Sequence, residues 1–249
     1  AGIKIPGGKR TLLVPARNFP VEVLFLRDDD IPESVASGVT DVGIVGLNEV
    51  MEKRCPVGIL KKLGFGKCRL SLAIPQDIDY LDRNWFSGKK IATSYPGILS
   101  DYLHKNGIVS DIHVITGSVE IAPGIRLADA IFDIVSSGST LVSNRLKEVE
   151  TVVESEAVLI GTDSISPEKR GILDELLFRF DSVQAADDKK YILMNVPQKK
   201  LNDVLSVLPG IKSPTVMPLA DKEWCSVHTV LDEKCFWEII NRLKTAGAE

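Results

Sequence analysis

Seven short β-rich runs, residues 21–26, 42–45, 70–74, 90–93, 112–116, 129–135 and 157–160, are spaced by helix-length stretches through most of the chain. Strands alternating with helices need crossover connections, and these build a largely parallel α/β sheet. An internal echo divides that sheet. At 37–45 a small-residue helix end leads to Asp41 and then Val42-Gly43-Ile44-Val45, and at 126–135 a short approach leads to Asp129 and then Ala130-Ile131-Phe132-Asp133-Ile134-Val135. Two similar lobes account for the repetition. The strands at 70–74 and 157–160 each run into a polar loop and read as the crossings between them. Residues 1–73 with 157–185 then form one lobe and 74–156 the other. A cleft between lobes is the default place for a ligand and permits hinge closure.

After Asp187-Asp188-Lys189-Lys190 the pattern changes. Residues 191–196 read as a strand, 198–208 as a helix, 215–219 and 224–230 as strands, and 232–246 as a capped amphipathic helix. That β-α-β-β-α order describes a separate ferredoxin-like module over 187–249. The last strand of such a unit is expected beyond Glu249.

Bulk properties narrow the chemistry. Acidic and basic residues are interleaved around a net charge of −4, with no lysine cluster carrying aromatics between its members, so nucleic acid is not an expected partner. No apolar run is long enough to span a bilayer, and no leader opens the chain; a cytoplasmic protein without membrane contact is expected. Cys55, Cys68, Cys225 and Cys235 lack metal-site spacing and His104, His113 and His228 are scattered, so reduced thiols and no structural zinc are expected.

The stretch richest in chemistry is DAIFDIVSSGST, residues 129–140. A strand bearing Asp129 and Asp133 delivers the chain into Ser136, Ser137, Gly138, Ser139 and Thr140, after which residues 141–146 read as helical. A small-residue loop at a helix start can turn several backbone N–H groups toward one anion, with serine and threonine hydroxyls adding donors. Gly138 permits a positive φ or a close backbone approach. A carboxylate five residues before that glycine suits the hydroxyls of a sugar whose 5′-phosphate sits in the loop. A polar turn that merely caps a helix fits the same residues. No lysine follows the glycine, so the loop is not a Walker loop. Gly64-Phe65-Gly66-Lys67 precedes a strand and reads as a turn. Arg27-Asp28-Asp29-Asp30 reads as a helix cap before Pro32 or as a metal-binding turn.

Two longer segments, GSVEIAP (117–123) and LADAIFDIVSSGSTL (127–141), resemble the signature of the ATP phosphoribosyltransferase family. The resemblance continues through RDDDIP (27–32), DVGIVG (41–46), FGKCRLSLAIP (65–75), GKKIATSYP (88–96) and LPGIKSPTVMPL (208–219). It implies an α/β fold with a two-lobed catalytic core like periplasmic binding proteins and an ACT-like, ferredoxin-like regulatory domain. Because the third domain is included, it implies the long form, a homo-hexamer built from dimers and inhibited by histidine. The family pattern also has a strand and a Lys-Ser-Gly-Arg type turn that is expected ahead of Ala1, and here Gly124-Ile125-Arg126 stands where an Arg-Ala-Gly type run is common.

The resemblance implies that N1 of ATP attacks the anomeric carbon of phosphoribosyl pyrophosphate with inversion, giving phosphoribosyl-ATP and pyrophosphate. Mg2+ held mainly by substrate oxygens is the implied cofactor. Ser136, Ser137, Gly138, Ser139 and Thr140 are expected to hold the 5′-phosphate, and Asp129, Asp133 and Glu120 to serve the ribose and the reaction. Arg10, Arg27, Asp30 and Tyr95 are candidates for ATP or pyrophosphate, with a surface role open for Arg10 and a packing role for Tyr95. Thr215 and His228 are candidates for histidine, although a solvated or interfacial His228 fits the same strand. A solute-binding module and an amino-acid-sensing regulator of transcription are the rival classes; the acidic strand joined to the loop argues against the first, and the second would need a DNA-binding element, of which the sequence shows no sign.

Overall fold

The computed structural model describes residues 1–6, 11–209 and 214–249, so Arg10 lies outside the described residues. The chain forms two compact units, Gly2–Glu175 and Leu176–Glu249, the latter with Ala1. Helix Pro167–Asp187 carries the chain from the first to the second.

The first unit holds two main sheets. One has the order Asp111–Val114, Lys90–Thr93, Ala130–Val135, Cys68–Pro75, Leu146–Ser155. Its first three strands are parallel, and Cys68–Pro75 is antiparallel to both of its neighbours. The other sheet has the order Val42–Gly46, Ala157–Gly161, Gly58–Lys62, antiparallel throughout. The parallel arrangement expected from the sequence is therefore confined to one sheet. The exception in that sheet is Cys68–Pro75, which enters it from the other sheet's strand Gly58–Lys62 and pairs antiparallel with Ala130–Val135 and Leu146–Ser155. This strand was expected to cross between lobes with a border after residue 73, and it lies whole in the five-stranded sheet. The two echoing segments fall one in each sheet.

Both faces of the five-stranded sheet are covered, and side-chain alternation divides its apolar residues between them. Leu70, Leu72 and Ile74 are fully buried with Ile91, Ala130 and Phe132 on one side, while Ala73, Ala92, Ile131 and Val135 meet Val119, Leu141 and Leu146 on the other. Residues 21–26, expected to join the sheet, instead contribute Glu22–Leu24 to a two-stranded ribbon with Leu13–Pro15. Residues 141–146, expected as a helix, include the end of a five-residue helix, Ser139–Ser143, and the start of the edge strand Leu146–Ser155. That strand is rich in glutamate, which obscures its β character and suits a sheet edge.

The second unit packs helices Leu201–Val207 and Glu233–Ala246 against a sheet ordered Lys189–Pro197, Trp224–Asp232, Thr215–Pro218. Met194, Val196, Cys225, Val227 and Leu231 face the helices and pack with Val204, Ile239 and Leu243. This is the ferredoxin-like order anticipated from the sequence. Glu249 exchanges two backbone hydrogen bonds with Asn195 at the free edge of the first strand, 2.8 and 2.9 Å. Among the described residues no helix is long and apolar enough to cross a membrane.

Helix Ile31–Ala36 lies so close to strand Val42–Gly46 that a Cβ on Gly43 would sit 2.6 Å from Cγ2 of Ile31 and 3.0 Å from Cγ2 of Val35. Both contacts are β-branched and stiff. Gly43→Ala is expected to cost roughly 1–3 kcal/mol by overpacking, read as a lowered midpoint of urea unfolding with an unchanged slope; an unshifted midpoint would show that the helix moves away freely.

Candidate functional site

Strand Ala130–Val135 ends in Ser136 and Ser137, and Gly138 then turns the chain into helix Ser139–Ser143. Gly138 has φ 80°, in the left-handed region that favours glycine. The hydroxyls of Ser137 and Ser139 are 2.9 Å apart, and the loop is exposed apart from a half-buried Gly138. The Ser139 N–H donates to the Ser137 hydroxyl at 3.4 Å, and the next N–H groups of the first turn have no partner within the helix.

Asp133 sits one residue pair before the loop, opposite Ser71. Its carboxylate accepts the N–H of Ile134 at 2.8 Å. Burial pushes its pKa up to about 6, against the opposing effect of that N–H, and the charge of Glu120 adds to the rise. Glu120, on the short turn Val119–Ile121, thus shares the electrostatic surroundings of Asp133. The structure brings these two carboxylates and the loop to one end of the strand.

It does not bring Asp129 there. The Asp129 carboxylate accepts the Lys90 N–H at 2.9 Å, and its own N–H donates to the Lys90 carbonyl at 2.8 Å, tying it to the start of the neighbouring strand. Seven residue steps at about 3.3 Å each separate it from Ser136, roughly 23 Å. The structure thus places Asp129 at the far end of the strand, away from the turn that the motif was expected to bring it to.

Arg69, which the sequence did not single out, stands opposite Val135 and reaches behind the loop. Its Nε and Nη2 donate to the two carboxylate oxygens of Glu148, each at 2.5 Å, while Nη1 donates to the Ser136 carbonyl at 3.2 Å. Glu148 also accepts the Ser71 hydroxyl at 2.7 Å and that of Thr151 at 3.2 Å. Arg69 leads the interactions that hold the Glu148 carboxyl down to about 2. The visible signal in the sequence was a charged residue inside an otherwise apolar strand; Glu148 carried none. Two open cavities flank this group. One of 580 Å³ is lined by Arg69, Gln76, Ser137, Gly138, Ser139 and Lys147, and another of 450 Å³ by Leu47, Lys62, Lys67, Arg69, Ser136 and Glu154.

Tyr95, a candidate for nucleotide contact, is buried. Its hydroxyl donates to Glu49 at 2.9 Å and accepts from Asn48 at 3.3 Å. Burial raises the pKa of both Glu49 and Tyr95. Asn48 in turn bonds Ser155, which donates to its side-chain oxygen at 2.8 Å. Tyr95 is thus packed among buried polar groups of helix Leu47–Lys53. Arg27 is exposed and lies 3.4 Å from Asp29, and Asp30 is exposed with no side-chain bond to the helix it precedes. The 27–30 turn stands near the Glu49 helix, since Asp28 and Asp29 act on the Glu49 carboxyl. Among the described residues no three His, Cys, Asp or Glu side chains converge on a metal position.

In the second unit Thr215 and His228 face each other across paired strands. His228 is bracketed by the Tyr191 hydroxyl, 2.5 Å from Nδ1, and the Ser226 hydroxyl, 2.9 Å from Nε2. Tyr191 was not singled out in the sequence.

Residues 27–182 match the family model described as ATP phosphoribosyltransferase, and residues 186–249 match that of the HisG C-terminal domain. The chain is 69% identical over 247 residues to an ATP phosphoribosyltransferase of Bacteroides fragilis, covering 99% of this chain and 87% of that protein. It is 68% identical over 249 residues to one of Phocaeicola vulgatus, covering 100% of this chain and 88% of that protein. Among solved structures, the ATP phosphoribosyl transferase (HisG:HisZ) complex from Thermotoga maritima matches with TM-score 0.62 and 24% identity, over 71% of this chain and 85% of that one. The substrate-binding protein of an amino acid ABC transporter matches with TM-score 0.50 and 13% identity, over 68% and 75%, a likeness of fold alone.

The raised Asp133 pKa carries a stability consequence. The folded chain binds this proton more tightly than the unfolded one, so the stability it contributes is full below the ordinary aspartate pKa and is lost as pH rises through about 6. Asp133→Asn removes the desolvated charge. Its melting temperature is expected to exceed that of the wild type at pH 8, by roughly 2–4 °C per kcal/mol recovered, and to match it near pH 4. A lower melting temperature at pH 8 would mean that the ionised carboxylate is held by a stabilising partner.

Proposed function

The chain belongs to the ATP phosphoribosyltransferase family, and from that premise we propose where it performs the first step of histidine biosynthesis. The reaction joins the phosphoribosyl group of phosphoribosyl pyrophosphate to N1 of ATP, releasing pyrophosphate. We place the 5′-phosphate in the turn formed by Ser136, Ser137, Gly138, Ser139 and Thr140, and the ribose hydroxyls against Asp133. The observation that carries this reading is the meeting of a half-buried carboxylate, a second acid at Glu120 and a hydroxyl-lined turn at one strand end. The two sheets of the first unit are, in this reading, the two catalytic lobes, with the border moved from residue 73 to the turn before Cys68.

The chemistry is mainly positioning. N1 must approach the anomeric carbon in line with the departing pyrophosphate, and a fixed donor places that carbon for it. Positive charge develops on the ribose as the bond breaks. The Asp133 carboxylate, ionised above about pH 6, accepts from the ribose hydroxyls and favours that charge. The family is metal-dependent, and Mg2+ is the proposed ion. Asp133 and Glu120 fit it, because Mg2+ is commonly bound by one or two carboxylates plus substrate oxygens. Bound there, it would neutralise charge growing on the pyrophosphate. Arg27 and Asp30, exposed on the other sheet's side, stay as candidates for the ATP or pyrophosphate.

For regulation, the match of residues 186–249 to the family's C-terminal domain supports histidine binding beside Thr215 and His228. Inhibition at a distance requires histidine to favour one state of an assembly over another. A homo-hexamer built from dimers is the proposed assembly, and a cytoplasmic location goes with the pathway.

Protein mixed with ATP, phosphoribosyl pyrophosphate and Mg2+ is expected to form phosphoribosyl-ATP, followed by ultraviolet absorbance, and histidine to suppress it. Asp133→Ala should lower kcat/KM on the order of 100-fold, whereas Asp129→Ala should leave the rate near that of the wild type. Equal losses in the two variants would remove the ribose contact from Asp133.

A further inference from the structure

We propose that Arg69, anchored by Glu148, is a positioning residue that presets the Ser136–Ser137 peptide of the phosphate turn. The inference rests on the docking of the 5′-phosphate in that turn given above, and it names what holds the turn ready.

The argument begins with the peptide plane. Arg69 Nη1 donates to the carbonyl of Ser136 at 3.2 Å, and the described chain contains no cis peptide. In a trans peptide the C=O and the following N–H point in opposite directions. A carbonyl held toward the guanidinium therefore sends the N–H of Ser137 away from it, into the turn. An exposed turn with a left-handed glycine has many alternative peptide orientations, and each one lost before binding lowers the ordering cost at binding.

The anchor is itself fixed. Nε and Nη2 of Arg69 are both occupied by Glu148, which leaves Nη1 for the carbonyl. Glu148 is held from the other side by the hydroxyls of Ser71 and Thr151. Ser71 is 1% exposed and stands opposite Asp133, just as Arg69 stands opposite Val135. One pair of strands thus sets both the carboxylate that reads the ribose and the plane of the peptide that meets its phosphate.

Arg69 lines both cavities, so a direct contact between its guanidinium and a phosphoryl group is the competing arrangement. The two differ in sign. If Arg69 acts by positioning, removing the Glu148 charge frees the guanidinium and weakens donor binding. If Arg69 binds phosphate itself, the same change liberates its charge and strengthens donor binding.

Steady-state kinetics of the full chain test this with Arg69→Gln, Arg69→Lys, Glu148→Gln and Gly138→Val. Arg69→Gln is expected to raise KM for phosphoribosyl pyrophosphate about tenfold, the loss of one charge-assisted hydrogen bond, with KM for ATP little changed. Lysine lacks the planar fork that serves Glu148 and Ser136 together, so Arg69→Lys should behave like Arg69→Gln. Glu148→Gln should raise the same KM. A merely structural role would lower kcat and thermal stability without separating the two substrates, and that result would overturn the proposal. So would a lowered or unchanged KM for the donor in Glu148→Gln, which stands as the test if Arg69 variants do not fold. Gly138→Val separates the two readings. If it leaves donor KM unchanged, the docking of phosphate in the turn fails and this inference with it. If it raises donor KM while Arg69→Gln and Glu148→Gln do not, docking survives and positioning by Arg69 fails.

Discussion

The antiparallel register between Cys68–Pro75 and Ala130–Val135 is the constraint on which the site depends. It pairs Arg69 with Val135, Ser71 with Asp133 and Ala73 with Ile131. On the opposite side of the same strand Leu70, Leu72 and Ile74 are fully buried. A slip of one residue would drive those three side chains into the other face, where Ala73 packs with Val119 and Leu141, and push Arg69 and Ser71 into the larger apolar core. Overpacking of the one face, typically about 1–3 kcal/mol, and burial of unpaired polar groups in the other both oppose such a slip. Burial on one face thus sets geometry on the other.

A second set of contacts joins the two sheets of the first unit. Helix Leu47–Lys53 belongs to the three-stranded sheet's side and helix Pro96–Lys105 to the other's. The Glu52 carboxylate accepts the N–H groups of Gly97 and Ile98 at 2.8 and 2.9 Å, placing negative charge at a helix start where the dipole favours it. Arg54 adds bonds to the Gly97 carbonyl and to Asp101. Below them lie Asn48, Glu49, Tyr95 and Ser155, all buried and bonded to one another. Burying Glu49 is costly for its charged form, and the Tyr95 hydroxyl offsets part of that cost. Satisfied polar groups of this kind select one packing, because a displaced member leaves its partners unpaired.

The sequence made the chain's modules legible where period and turn chemistry agreed. The strand into Ser136–Thr140 was readable because a run of apolar residues ended in glycine and hydroxyls, and the C-terminal module because its helices are amphipathic. Strand direction was not readable, since Cys68–Pro75 looks the same as a strand whichever way its neighbours run. Leu146–Ser155 was missed because edge strands carry charge. Asp129 and Asp133 show the same limit at the site. Both are aspartates on one strand, and only the three-dimensional pairing reveals that one bonds Lys90 at the far end while the other meets Glu120 beside the turn. Arg69 and Glu148 are 79 residues apart in the chain and meet only through the sheet.

Two-lobed α/β scaffolds of this kind serve receptors and enzymes alike, so the scaffold does not choose between holding a solute and reacting it. The choice rests on where binding free energy is directed. A receptor needs complementarity to its ligand, while a transferase needs groups whose interaction grows as charge moves in the transition state. A carboxylate kept in a costly buried place, ionised only above about pH 6, fits the second requirement better than the first. For a neutral ribose that burial lowers affinity for nothing in return. In the docking proposed above, the sugar becomes cationic beside that carboxylate and offsets the cost, and the turn bonded by Arg69 is the proposed fixed point from which that distance is set.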